Sequence, residues 1–170
     1  MTSRYVEAPT YYEPQEEDPP AVFVAGGITG VPNFQAIAAR ELADGNCVVL
    51  NPRRANYPAG EPNAVREQVR WECHHRKLDQ LGHPLVTMFW FPGTATPQPI
   101  ALLELGAALA RPRSARLALV VGADPAYSRR ADVVLQCEFD RPDLIVHDTL
   151  HATLHAVRTV LPALSRPYRT

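Results

Sequence analysis

Residues Met88–Gly106 read MFWFPGTATPQPIALLELG, and this stretch decides how the rest of the chain is arranged. Val86 to Phe91 is an apolar run of the kind that forms a strand buried on both faces. Pro92-Gly93-Thr94-Ala95-Thr96-Pro97 follows, dense in turn formers. From Pro99, a residue suited to a first helical turn, Ile100, Leu103, Ala107 and Ala110 recur at helical spacing and predict the buried stripe of a helix. The unit is strand, loop, helix.

Glu104 lies roughly a turn and a half inside that helix, among Leu102, Leu103, Leu105 and Gly106. Near a helix N-terminus the macrodipole favours the carboxylate by ~0.3–1 kcal/mol, which predicts an ionised group at neutral pH. A carboxylate held beside a sugar carbon can displace a leaving group and form a covalent glycosyl ester. The alternative is a helix Glu facing solvent or pairing with Arg111 or Arg113.

Working outward, the same alternation recurs. Ala21–Ala25 (AVFVA) is a short apolar strand that runs into Gly26-Gly27-Ile28-Thr29-Gly30 and then a helix over Asn33–Ala43. Glycines at such a junction let backbone N–H groups approach a ligand closely. Their spacing is not the GxGxxG of dinucleotide-binding folds and no acid closes the second strand, which speaks against a nicotinamide cofactor. Cys47–Leu50 is a second strand and delivers Asn51-Pro52-Arg53-Arg54 at its C-terminal end, the edge where open α/β sheets bind ligands. Arg53 and Arg54 read either as a holder for phosphate or carboxylate or as two surface arginines. A polar helix is predicted over Asn63–Leu81, a fourth strand over Arg116–Val121, a helix from Ala126 to Val134, a weak strand within Leu144–His147 and a last helix over Thr149–Leu161. Five strands alternating with helices imply a parallel sheet covered on both faces. The segments at 26–27, 51–54, 94–104 and 124–130 then converge on one edge.

The chain has 170 residues, 46% of them hydrophobic and 21% charged, which suits one globular domain. A net charge of −1 gives no footprint for a nucleic acid polymer or an anionic membrane. Cys47, Cys73 and Cys137 are odd in number and far apart, as expected of reduced thiols in the cytoplasm. No signal peptide or membrane-length apolar run is evident. Residues 1–20, rich in Pro, Glu and Tyr, read as an extended arm before a domain over 21–170. Cys73-His74-His75 and the series His147, His151, His155 touch on metal-site spacing. Neither has the further ligands a site needs, so no metal is expected.

VFVAGGITG with Asn33-Phe34-Gln35, LNPRR at 50–54, QVRWE at 68–72, FWF with PIALLELG at 89–106 and, more loosely, YSRRADV at 127–133 together resemble the nucleoside 2-deoxyribosyltransferase family. The resemblance covers roughly residues 22–161. It implies a flavodoxin-like α/β sandwich that cleaves or transfers the N-glycosidic bond of (deoxy)nucleosides or their 5′-monophosphates. It implies no cofactor and, often, assembly into a homodimer or larger homo-oligomer. It assigns Glu104 as nucleophile and Gly26 and Gly27 as the turn framing sugar and base. It adds Asn51, Arg53, Arg54 and Thr94 to the substrate site, and Arg129, Arg130 and Asp132 to a segment that reaches a neighbouring subunit. The chain also departs from the family pattern. Leu81-Gly82-His83-Pro84 stands where relatives carry an Ala-Asp pair, Asp132 replaces an asparagine, and no second acid precedes the nucleophile helix. Protonation of a departing base then falls to Asp79, His83 or Glu72. A catalytically silent nucleotide-binding module and an NAD-derived or sugar-nucleotide glycohydrolase are the alternative readings.

Overall fold

The computed structural model describes residues 4–165. Six parallel strands form one sheet: β1 (Arg4–Glu7), β2 (Ala21–Ala25), β3 (Val48–Asn51), β4 (Leu85–Phe91), β5 (Leu117–Ala123) and β6 (Val146–His147), in the order β1-β3-β2-β4-β5-β6. Five helices cover it: α1 (Phe34–Glu41), α2 (Ala64–His75), α3 (Pro99–Leu109), α4 (Arg130–Asp140) and α5 (Leu150–Leu164). This is the flavodoxin-like α/β sandwich, with β1 added at one edge. Strand order reverses between β2 and β4, so their C-terminal ends flank the switch-point crevice where such sheets bind ligands.

Side-chain alternation along the strands divides the core in two. Val22, Val24, Val86, Met88 and Trp90 face α1 and α5, packing on Phe34, Ala38, Leu154, Val157 and Leu161. Phe23, Leu85, Phe89 and Phe91 face the other way, against Trp71, Leu105, Leu109 and Val133 of α2, α3 and α4. Local signals start the helices: Asn33 accepts from the Ala36 N–H at 3.1 Å and Thr149 from the Ala152 N–H at 3.1 Å.

The structure departs from the sequence expectations in four places. The proline-rich opening supplies a sixth strand. Tyr5 pairs with Val49 and Val6 with Leu50 in β3, and Tyr12 is fully buried. Four residues with only Val6 buried give too short a pattern for periodicity to find. The long helix predicted over 63–81 stops at His75, with Arg76 as its cap and a separate 3₁₀ turn at Leu78–Leu81 closed by left-handed Gly82. α4 starts at Arg130 rather than Ala126 because the Asp124 side chain accepts from the Ala126 N–H at 2.8 Å, making an Asx turn that holds residues 124–127 out of the helix. On α3 the buried face is Ala101, Leu105, Ala108 and Leu109, while Ile100 and Leu103 are exposed. α3 is apolar nearly all round, so its periodicity does not single out a face.

Candidate functional site

The loops after β2, β3 and β4 interlock at the switch point. Gly26 takes φ +139°, and a Cβ there would stand 2.4 Å from the Trp90 carbonyl oxygen, so the β2 exit can lie this close to β4 only as glycine. The Gly27 N–H donates to Gln98 Oε1 at 2.9 Å and its carbonyl accepts from Gln35 Nε2 at 3.1 Å. Thr96 Oγ1 donates to the Gly30 carbonyl at 3.2 Å. Gln98, the residue ahead of α3, is itself left-handed at φ 49°. Buried Gln35 Oε1, Gln98 Nε2 and Thr94 Oγ1 have no hydrogen-bond partner. Unpaired buried polar atoms are rare in folded proteins, and three of them lie at this switch point.

Arg53 and Asn51 join this edge from β3. Asn51 Oδ1 accepts from the Arg53 N–H at 2.9 Å and its Nδ2 donates to the Tyr5 hydroxyl at 2.7 Å, so its amide orients the loop. Arg53 Nη1 reaches the Val31 carbonyl at 3.3 Å and, among the described residues, makes no ion pair. Arg54 differs. It is buried, donating to Gln68 Oε1 and Glu67 Oε2, each at 2.8 Å, with its Nη2 unpartnered.

Glu104 sits on the second turn of α3 with its side chain 12% exposed, and its Oε1 lies 3.3 Å from Arg76 Nη2 at the end of α2. Burial pushes its carboxyl up to about 7, against the pull of Arg76 and with a further push from Glu72. The helix dipole, worth under one pKa unit and confined to the first turn, is outweighed by burial at this depth. Glu72 is also held above the ordinary carboxyl range by burial, although Gln68 Nε2 donates to it at 2.7 Å. Arg54, Gln68 and Glu72 thus form one hydrogen-bonded chain, and Arg76 and Glu104 form a separate ion pair next on α2 and α3.

The other candidates lie elsewhere. Asp79 Oδ2 takes a 2.5 Å bond from Arg111 Nη2 at the far end of α3. His83 precedes β4, at the opposite edge of the sheet, where its Nε2 lies 3.4 Å from the Tyr12 hydroxyl. Arg129 and Asp132 pair with each other at 3.3 Å, both more than half exposed, while Arg130 pairs with Asp148. His75 is buried on Trp71, and the His74 and His75 rings meet edge to face at 4.9 Å with Tyr11 against both. Among the described residues no group of three or more His, Cys, Asp or Glu is placed to hold a metal ion, and no helix is long and apolar enough to cross a membrane. A groove of about 300 Å³ between α1 and α5, lined in part by Ile37, His151, His155 and Arg158, lies on the face away from Glu104. Sequence reasoning missed Arg76, Gln68 and Gln98. The spacing of Glu72 and Arg76, four apart on one helix, was the available sign for the first.

No curated protein matches the chain at a significant level. The family model described as nucleoside 2-deoxyribosyltransferase-like matches residues 19–122, which run from the approach to β2 through β5 and include the switch-point loops and Glu104. The chain therefore belongs to the nucleoside 2-deoxyribosyltransferase-like family.

Proposed function

We propose that the protein cleaves or transfers the N-glycosidic bond of a (deoxy)nucleoside or its 5′-monophosphate, with Glu104 as nucleophile. The observation that carries this reading is the largely buried Arg76–Glu104 contact of 3.3 Å, which holds the Glu104 carboxyl on the helix that follows the β4 loop. The Glu104 carboxylate attacks C1′, the C1′–N bond breaks with its electron pair passing to the base, and a glycosyl ester of Glu104 remains. Of the three acids considered, Glu72 alone acts electrostatically on Glu104, so it is assigned to protonate the base. Asp79 is committed to Arg111, and His83 is at the wrong edge. A second base then takes the sugar, or water hydrolyses the ester.

Arg53, uncommitted to any carboxylate among the described residues, is assigned to a substrate phosphate, while Arg54 supports α2. Gly26, Gly27, Gln35, Thr94 and Gln98 frame the sugar and base, and Asn51 orients the loop that carries Arg53. Exposed Val65 and Val69 on α2 and Ile100 and Leu103 on α3 favour a homo-oligomer that covers this side of the sheet, with Arg129 and Asp132 reaching a neighbouring site. We place the reaction in the cytoplasm, among soluble nucleosides and nucleotides.

The test is base release from a panel of nucleosides and 5′-monophosphates, followed by chromatography with and without a second free base. Release that is lost in Glu104→Ala supports the reading, and dependence on the added base makes the protein a transferase rather than a hydrolase. A nucleotide that binds with no base released supports the second reading, a silent binding module. That reading is favoured by the locked Asp79–Arg111 pair, which occupies the one acid near the position where relatives carry theirs.

A further inference from the structure

Glu72 and Arg76 stand four apart on α2 and share a face, which places a guanidinium one turn below a carboxylate. α3 brings Glu104 to the same guanidinium, at 3.3 Å, with the Arg76 and Glu104 side chains 19% and 12% exposed. The Arg76 cation is thus paired with Glu104, and Glu72 acts on that pair from the same face of α2 as a further negative charge.

The surroundings fix the skeleton of this trio and leave its charge balance open. Gln68 Nε2 donates to Glu72 Oε1 at 2.7 Å and to the Pro52 carbonyl at 2.8 Å, and Gln68 Oε1 accepts from Arg54, so the amide is fully assigned and Glu72 is held in place. Arg111 Nη1 donates to the Arg76 carbonyl at 3.0 Å while its Nη2 holds Asp79, pinning the end of α2 to the end of α3. The Arg76 guanidinium itself is less constrained, for its Nε is buried without a partner. The charged groups acting on Glu104 are Arg76 and Glu72 from α2, while Arg54 acts on Glu72 from the β3 exit loop.

We infer that Arg76 is a positioning residue that holds Glu104 as the attacking carboxylate. This rests on the glycosyl-transfer reading for its consequence in catalysis, and on the ion-pair geometry alone for its effect on ionisation. Two readouts keep these apart. The first is the titration midpoint of Glu104, followed by NMR of protein labelled with ¹³C at the glutamate side-chain carboxyl and assigned with Glu104→Gln. The second is the acidic limb of the pH–rate profile for base release.

Removing the cation in Arg76→Gln raises the Glu104 midpoint by about one unit or more, because an opposite charge at this range favours the charged form. The acidic limb then moves to higher pH, and the deficit against wild type shrinks as pH rises. Arg76→Lys keeps the charge and returns the midpoint toward wild type. Glu72→Gln removes a like charge and moves the midpoint down, the opposite sign, and this variant carries the test should Arg76→Gln fail to fold. A midpoint that moves in neither direction overturns the inference. Midpoints that move while no variant releases base from any substrate overturn the proposed function and uphold the ion-pair inference. A limb that stays in place while the midpoint moves overturns the catalytic role.

Discussion

The two faces of the sheet are built on different terms. The α1–α5 face is held by Phe34, Met88, Trp90, Val157 and their neighbours, and its buried polar side chains, Gln35 and Thr153 among them, are uncharged. The α2–α3 face has the larger apolar core, yet Arg54, His75, Asp79 and His83, the buried charged and histidine side chains among the described residues, all lie on that side, together with half-buried Glu72, Arg76 and Glu104. Burying charge is costly unless each group is paired, and here Arg54 Nη2, Arg76 Nε and Asp79 Oδ1 are buried without a partner. Stability alone would be served better by the first arrangement. The asymmetry supports the proposal that chemistry is done on the α2–α3 face.

Perturbing each face sharpens the contrast. Glu104→Gln is expected to lower base release by ~10³-fold or more with little change in fold, since the amide is isosteric but cannot attack C1′. His151→Ala and His155→Ala, in the groove on the opposite face, are expected to stay within about twofold in the same chromatographic assay. Phe34→Ala, which empties a buried site on α1, is expected to cost ~3–5 kcal/mol in denaturant unfolding while leaving the Glu104 midpoint unchanged. A shifted midpoint would mean that the faces are not independent.

Acid should act through the polar face. His75 Nδ1 faces the Trp71 carbonyl at 2.7 Å and so carries the proton, while Nε2 accepts from the Tyr12 N–H at 3.1 Å. The neutral ring is therefore fully used, and a second proton would point at a donor. Burial depresses its pKa from 6.5 to about 4. Between these values the unfolded chain binds more protons than the folded one, so this stabilisation is complete above pH 6.5 and is lost as pH falls toward 4. His75→Gln is therefore expected to lose less stability than wild type as pH falls from 7 to 4 in unfolding measurements, while the raised Glu104 carboxyl contributes with the opposite sign in both proteins. Arg53→Ala is expected to weaken a 5′-monophosphate by about tenfold in KM relative to the unphosphorylated nucleoside. Breaking the exposed Arg129–Asp132 pair is expected to change stability by no more than ~0.5 kcal/mol.

Much of this was legible in the residues. The β4–α3 unit, the glycine turn after β2 and the convergence of loops on one edge follow from apolar runs, turn formers and the rule that parallel sheets bind ligands at strand C-termini. Glu104 stood out because a charged residue amid leucines is uncommon. What could not be read depends on how elements pack. Tyr12 enters the core only because β1 pairs with β3, whose partners lie 44 residues apart. The end of α2 at His75 brings Arg76 onto Glu104, and no local pattern distinguishes that from a helix continuing to Leu81. His83 and Asp79 were equal to Glu72 as acids until the sheet gave each an edge and a partner.

The central claim is that Glu104 becomes covalently bonded to the sugar, and trapping that ester tests it most directly. The protein would be incubated with nucleosides bearing fluorine at C2′, which slows formation and breakdown of the ester, and then weighed intact and mapped by peptide mass spectrometry. The account predicts a mass gain equal to the fluorosugar, located on the peptide containing Glu104 and missing in Glu104→Gln. Base release with no adduct, or an adduct on any other residue, would contradict it.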